Sequence, residues 1–312
     1  MALHPEPRRD ALSKMPIFQP PAPGDTIGIV APASPFDHAR FEAGVAVLSG
    51  MGLRIHVPAA VRERTGYLAG PDEQRARMIN ELFADPSIQA VWCARGGYGT
   101  MRCLPFIDYE LIKRSPKLLV GSSDATALLN AVIKRCGIPV CHGPMVVTLA
   151  DDDPVTNRSI RSLFAGSTIS PPPPDSIQVI RPGSAEGILM GGNLTTLCHL
   201  ISTPFEPDFS GAILFLEDIG EATYRIDRMV TQMRMAGIFS EIAGLVLGRF
   251  LDCGRTDLIH QIVDIALAGL DIPVLGGVPA GHGHPNRVLP MGVRAHLDTD
   301  AGGIFYKDPF FK

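Results

Sequence analysis

Short apolar runs alternate with helix-spaced segments through the first half of the chain, and that rhythm restricts the fold more than any other feature. Thr26–Ala31, Leu53–Val57, Ile88–Cys93 and Leu118–Val120 read as strands. Phe41–Leu48, Glu73–Phe83 and Asp124–Arg135 carry helical spacing, the last closed by Gly137. Apolar strands alternating with helices predict an α/β domain: a parallel sheet with helices on both faces. Ligands of such sheets meet the loops beyond the carboxyl ends of the strands. The residues after Ala31, Cys93 and Val120 are therefore the first place to look for chemistry.

The texture changes near Gly166, where Pro171–Pro174 can continue neither a helix nor a central strand. The expected organisation is a frayed tail over 1–15, an α/β domain over 16–165, a Pro-rich linker over 166–185 and a smaller, β-rich α+β domain over 186–312. In the second half Ile188–Met190, Ala212–Leu216, Ala243–Leu247 and Pro273–Val278 read as strands. Tyr224–Ala236 reads as a helix, with Thr223 as N-cap, Gly237 just past its end, and Ile226, Met229, Val230 and Met233 as its core stripe.

Composition narrows the function. The 312 residues suit one large or two ordinary domains, and 28 basic against 32 acidic residues leave a net charge of −4. That balance offers no general electrostatic grip on nucleic acid or an anionic membrane, so neither is expected as a partner. No apolar run approaches the length of a membrane span, and the first fifteen residues lack the apolar core of a signal peptide. Six cysteines without a C-x-x-C pair fit a reducing compartment, hence a cytoplasmic address.

Four segments can carry chemistry. In Gly121-Ser-Ser-Asp-Ala125 a strand runs straight into a helix, the setting of a nucleophile elbow with Ser123 at its apex. Small residues two positions to either side, Gly121 and Ala125, are what such a strained turn needs. The N–H of Asp124 then points where negative charge develops. An ordinary helix cap at Ser122 or Ser123 is the plainer alternative. Arg95-Gly-Gly-Tyr-Gly99 follows a strand and can bring bare amides to an oxyanion or ligand, or simply form a tight turn. Glu217 follows the apolar run Ala212–Leu216 and suits orienting an imidazole, with Asp218 and Glu221 as rivals. Glu221 stands four residues before Arg225 and suits a helical ion pair better. His282 and His284 lie among glycines, and either can act as a base. Their H-x-H spacing also suits a metal, but no other group of ligand types accompanies it. Serine, acid and histidine together are the residue types that acyl transfer requires.

These residues resemble the LD-carboxypeptidase family of serine peptidases, which includes the muramoyltetrapeptide carboxypeptidases. The likeness runs from Ile27-Gly-Ile-Val-Ala-Pro to Leu289-Pro-Met-Gly. It is densest from Arg95-Gly-Gly-Tyr-Gly to Gly121-Ser-Ser-Asp-Ala, with further matches at His142-Gly-Pro-Met, Gly191-Gly-Asn-Leu, Leu216-Glu-Asp-Ile-Gly-Glu and Gly281-His. The resemblance implies Ser123 as nucleophile, Glu217 as the supporting acid and His282, rather than His284, as the base. It implies an oxyanion hole from the N–H of Asp124 and of Gly97, with Arg95, Gly96, Tyr98 and Asn193 as substrate-binding candidates. Two features depart from the family pattern: Ser122 stands where a larger side chain is usual, and His284 adds a second imidazole. The activity implied is release of the terminal D-alanine from a cytoplasmic murein tetrapeptide in peptidoglycan recycling, by a homodimer without metal or organic cofactor. A microcin-immunity-type peptidase of the same family and a non-catalytic murein-peptide binder are the alternatives. A carboxypeptidase must also read a free carboxylate, for which arginine or backbone amides suit; Arg95, Arg102, Arg225 and Arg228 are the candidates, and each suits a surface or structural ion pair equally well.

Overall fold

The computed structural model describes residues 19–166, 177–307 and 310. The tail expected over 1–15 and the proline run 171–174 lie outside them.

In the first half, β1 (Thr26–Val30), β2 (Arg54–His56), β3 (Ile88–Cys93), β4 (Leu118–Gly121) and β5 (Val140–His142) pair in parallel in the order β2-β1-β3-β4-β5. Around them lie α1 (His38–Gly50), α2 (Asp72–Ala84), α3 (Thr100–Cys103), α4 (Tyr109–Arg114), α5 (Thr126–Cys136), α6 (Val146–Leu149) and α7 (Pro154–Phe164). Side chains alternate faces along a strand. Gly28, level with Val91, sits under Leu82 of α2, whose methyl carbons lie 2.8 Å from where a Cβ would be. One residue on, Trp92 meets Phe164 of α7 edge-on, with ring centroids 6.1 Å apart. Helices therefore cover both faces, as the alternating runs predict. Strand order reverses between β1 and β3, so the loops after those two strands diverge and leave a crevice there.

The second half comprises β6 (Gln178–Arg181), β7 (Ser184–Asn193), α8 (Leu194–Leu200), β8 (Ile213–Ile219), α9 (Thr223–Met235), α10 (Ile238–Glu241), β9 (Gly244–Leu251), α11 (Thr256–Ala266), β10 (Val274–Gly276), β11 (Leu289–Met291), β12 (Val293–Asp298) and β13 (Gly303–Tyr306). Its seven-stranded sheet runs β13-β12-β7-β8-β9-β10-β6, parallel from β7 to β10 and antiparallel at the margins. Two expectations need correction. The segment read as linker already contains β6 and the start of β7, because Gln178–Arg181 pairs with β10 at the sheet edge. The first sheet is also not purely N-terminal, since β11 adds to β5 in antiparallel fashion. Pro290, lacking an N–H, is tolerated on that edge strand. On a smaller scale, Thr223 is the first residue of α9 and not its cap; its hydroxyl donates to the Cys253 carbonyl at 2.8 Å.

The two halves are stitched together. Every residue from Thr126 to Ile133 of α5 is buried, as expected of a helix that is covered on all sides. Asn130 donates from this helix to the Gly191 carbonyl of β7 at 2.9 Å. Thr156 and Ser159 of α7 accept from the N–H groups of Asn286 and Val288, both at 2.9 Å. Arg75, fully buried on α2, donates to the carbonyls of Gly70 at 3.1 Å, Gly99 at 2.9 Å and Pro32, and pairs with Asp72. A buried guanidinium is tolerable only when its donors are spent in this way. Here it ties the loop after β1 to the loop after β3.

Candidate active site

At the end of β4 the chain turns sharply, and Ser123 takes a left-handed φ of 57°. For a residue with a side chain this costs on the order of 1–3 kcal/mol and is usually found where function requires it. The turn closes because its flanks are small. A Cβ on Gly121 would lie 2.9 Å from Cys93 Sγ and 3.0 Å from the Ala125 Cβ. A Cβ on Gly96 would come within 2.7 Å of the Ser123 Cβ, so this glycine lets the Arg95–Gly99 loop lie against the serine. Gly97 instead packs on Ser34, whose hydroxyl accepts from the Tyr98 N–H at 3.1 Å. The Asp124 carboxylate accepts from the Thr100 N–H at 2.7 Å and so anchors the far end of the glycine loop. Burial pushes its carboxyl above the ordinary range, against the pull of the Thr100 hydrogen bonds.

Glu217 comes from the other half. The strand does not end at Leu216: β8 continues to Ile219, with a register shift between Leu216 and Asp218 that falls on Glu217. Such irregularities re-aim a side chain. Fully buried, Glu217 uses one oxygen, Oε2, to accept the backbone N–H of His282 at 3.0 Å and to meet His282 Nδ1 at 2.6 Å. Burial pushes the Glu217 carboxyl up, but the His282 charge and the hydrogen bonds and charge of its imidazole neighbours outweigh it and bring the group down to about 2. An ionised carboxylate only accepts, so Nδ1 carries the proton and Nε2 is left free as a base. Burial likewise pushes His282 down, and Glu217, with help from Asp218, more than reverses this and raises it above its ordinary value.

Two bridges bring this pair to the serine. Thr126, at the start of α5 just past Ser123, accepts from the Asn193 N–H at 3.1 Å, and Asn193 is the register partner of Glu217. On the other side, Gly121 pairs with His142 of β5, whose Nε2 lies 3.9 Å from Glu217 Oε1. Among the described residues Ser123 makes no hydrogen bond to the His282 ring, whereas His282 meets Glu217 at 2.6 Å.

The rivals are occupied elsewhere. Asp218 accepts from Asn193, Ile219 and both the N–H and hydroxyl of Thr195, all within 2.9 Å. Glu221 pairs with Arg225 at 3.3 Å, as the spacing predicts. His284 turns to Asp151 at 2.8 Å, so the two imidazoles of the H-x-H pair serve different carboxylates. Asn193, expected to bind substrate, is the N-cap of α8: its Oδ1 accepts from the N–H of Thr196 at 3.0 Å while its amide donates to Asp218 at 2.8 Å. Tyr98 is exposed, with its ring 5.7 Å from that of Tyr67. Arg102 is held by Asp72 at 2.8 Å, and Arg228 lies over the Tyr224 ring. His142 carried no role in the sequence reading. It is fully buried and stands edge-on to Phe215 at 5.1 Å, and only the pairing of β5 with β4 reveals that it faces Glu217.

Gly281 tests how tightly the site is built. It has φ 99°, and a Cβ there would lie 2.6 Å from Glu217 Oε2. Gly281→Ala is expected to displace the His282 loop and lower kcat/KM by about 100-fold, the scale of an ångström-sized misplacement. Thermal unfolding should report a modest loss alongside the kinetics. Wild-type turnover in a folded Gly281→Ala protein would show that this contact does not set the position of the base.

Comparison with known proteins adds an independent view. A profile of the LD-carboxypeptidase N-terminal domain matches residues 27–143, and one of the LD-carboxypeptidase C-terminal domain matches residues 186–297. The chain is 37% identical over 290 residues to a protein of Bacillus subtilis named "Probable murein peptide carboxypeptidase", covering 88% of this chain and 89% of that one. The crystal structure of muramoyltetrapeptide carboxypeptidase from Oxalobacter formigenes superposes with a TM-score of 0.77 at 33% identity, over 89% of this chain and 97% of the other. The microcin C7 self-immunity protein MccF, known from Escherichia coli, superposes with a TM-score of 0.87 at 27% identity, over 95% of this chain and 99% of the other.

Proposed function

Because this chain belongs to the LD-carboxypeptidase family, with both of the family's domains, we propose that it releases the terminal D-alanine of a murein tetrapeptide through Ser123, His282 and Glu217. It is a carboxypeptidase of serine type. The observation that carries the residue assignment is the 2.6 Å contact of His282 Nδ1 with a buried, ionised Glu217, at the seam that also holds the strained Ser123.

In this mechanism His282 Nε2 takes the Ser123 proton as Oγ attacks the carbonyl carbon of the scissile amide. The N–H of Asp124 and an amide of the Gly96–Gly97 pair stabilise the oxyanion, a donor of this kind being worth about 3 kcal/mol. His282 returns the proton to the nitrogen of the departing D-alanine. Water, activated by the same imidazole, then hydrolyses the acyl-enzyme and restores Ser123. The buried carboxylate keeps the imidazole in the correct tautomer and stabilises its cation as it forms.

The same reading places the enzyme in peptidoglycan recycling, as a homodimer in the cytoplasm. All six cysteines are free thiols, which suits a reducing compartment. No helix among the described residues is long and apolar enough to cross a membrane.

A second reading, an amidase acting on a peptide–nucleotide antibiotic, is favoured by the higher superposition score of MccF, which has been solved with aspartyl sulfamoyl adenosine. The greater identity to the murein carboxypeptidases supports the first. Purified protein incubated in parallel with murein tetrapeptide and with aspartyl sulfamoyl adenosine separates them. Free D-alanine from the first, undiminished by a metal chelator, is the expected result. Cleavage of the second compound alone would replace the murein assignment.

A further inference from the structure

A depression of about 520 Å³ opens in the crevice between the ends of β1 and β3, lined by residues that include Ser34, Asp37, His38, Arg64, Tyr67 and Arg95. It shares the glycine loop with the candidate active site. Ser34 donates its N–H to the Gly96 carbonyl at 3.2 Å and packs against Gly97, while the other side of Gly96 touches Ser123. Arg95, the residue before Gly96, is in the wall of the depression. At about 3.8 Å per residue, a peptide whose scissile carbonyl sits on Ser123 reaches this space with a group one or two residues away.

The charge of the depression is positive and available. Arg95 donates to the Pro35 carbonyl, and Arg64 donates through Nε to the Gly66 carbonyl at 3.3 Å. Neither has a carboxylate partner among the described residues. Asp37, the one acid in the wall, has its carboxylate engaged by the Arg40 N–H at 2.9 Å as the cap of α1. The other arginines considered for carboxylate reading differ: Arg102 and Arg225 are paired with acids, and Arg228 lies over a tyrosine ring. A guanidinium with unspent donors suits planar recognition of a carboxylate.

We propose that this depression is the carboxylate-binding subsite of the enzyme, with Arg95 and Arg64 reading an anionic group of the peptide substrate. The proposal rests on the carboxypeptidase reading above and adds to it the residues that select the substrate. A murein tetrapeptide offers the required chemistry at the terminal carboxylate on D-alanine, at the internal one on D-glutamate and, where the third residue is diaminopimelate, at its side-chain carboxylate.

Steady-state kinetics on the unmodified peptide, on its terminal amide, on its D-isoglutamine analogue and on a form amidated at the diaminopimelate side chain test the idea. Wild type is compared with Arg95→Gln, Arg64→Gln and Arg64→Lys. On the unmodified peptide each glutamine variant should raise KM by about 10–100-fold with kcat unchanged, and Arg64→Lys should recover part of the loss. On whichever analogue lacks the carboxylate being read, wild type and variants should share one KM, which identifies the group. An equal KM penalty on all four substrates would mark a structural role and overturn the subsite, as would no penalty on any. If wild type releases no D-alanine at all, the activity assignment is what fails. Calorimetric binding of the tetrapeptide to Ser123→Ala, with and without each arginine, then decides the subsite by itself: loss of affinity upholds it and unchanged affinity rejects it.

Discussion

Ser123→Ala should lower D-alanine release from murein tetrapeptide by a factor on the order of 10⁴ to 10⁶, the range seen when a serine nucleophile is removed. The fold should barely respond. The Ser123 hydroxyl makes no hydrogen bond with the rest of the protein among the described residues, and alanine meets the same left-handed φ of 57° that serine already tolerates. A melting temperature close to wild type, with activity gone, is the pair of observations expected. Residual catalysis over water should persist, because the proposed oxyanion hole is left intact by the substitution. A folded variant that keeps turnover within about tenfold of wild type would remove Ser123 from the chemistry.

Glu217→Gln should have the next largest effect, a fall in kcat of about 10²–10⁴-fold together with a displaced pH profile. The sign follows from the geometry. His282 acts as a base only when neutral, and Glu217 raises its pKa above the ordinary imidazole value. Wild-type activity should therefore climb only as the pH passes through that raised value. Without the carboxylate charge, burial is left to push the imidazole down, so the acidic limb of the profile should move to lower pH even as the maximum rate collapses. Glu217→Asp separates this from simple misfolding. It keeps the charge but retracts the oxygens from the 2.6 Å contact, so the rate should drop while the limb stays near its wild-type position. A Glu217→Gln profile with an unmoved acidic limb would mean that Glu217 does not set the titration of the base.

The residues differ in how far sequence reasoning could reach them. Ser123 was accessible because an elbow is a local object: a strand, a turn flanked by Gly121 and Ala125, and a helix, all within a few residues. Glu217 was recognisable as an acid at an apolar strand, although the strand runs two residues beyond it. The choice between His282 and His284 was open on spacing, since both sit among glycines; it took a family resemblance to prefer one. Coordinates separate them by partners far away in the chain, Glu217 for the first and Asp151 for the second. The helix-capping bonds of Asn193 to Thr196 and Asp218 were likewise beyond the reach of spacing, because Asp218 lies far off in the chain. Arg75 carried no signal, since nothing in an arginine on an otherwise ordinary helix announces that it will be fully buried, and His142 stood in a matched motif without a role.

What the sequence by itself determined is what short stretches of chain can decide alone. Backbone sterics, side-chain periodicity and turn chemistry act over a few residues, and they set the parallel strands of the first sheet and the elbow. The crossing of β11 into the first sheet, the seam where α5 meets β7 and the pairing of His282 with Glu217 were decided by tertiary structure. Those contacts join residues far apart in the chain, and their energies come from burial and from satisfying polar groups that only the packed molecule brings together.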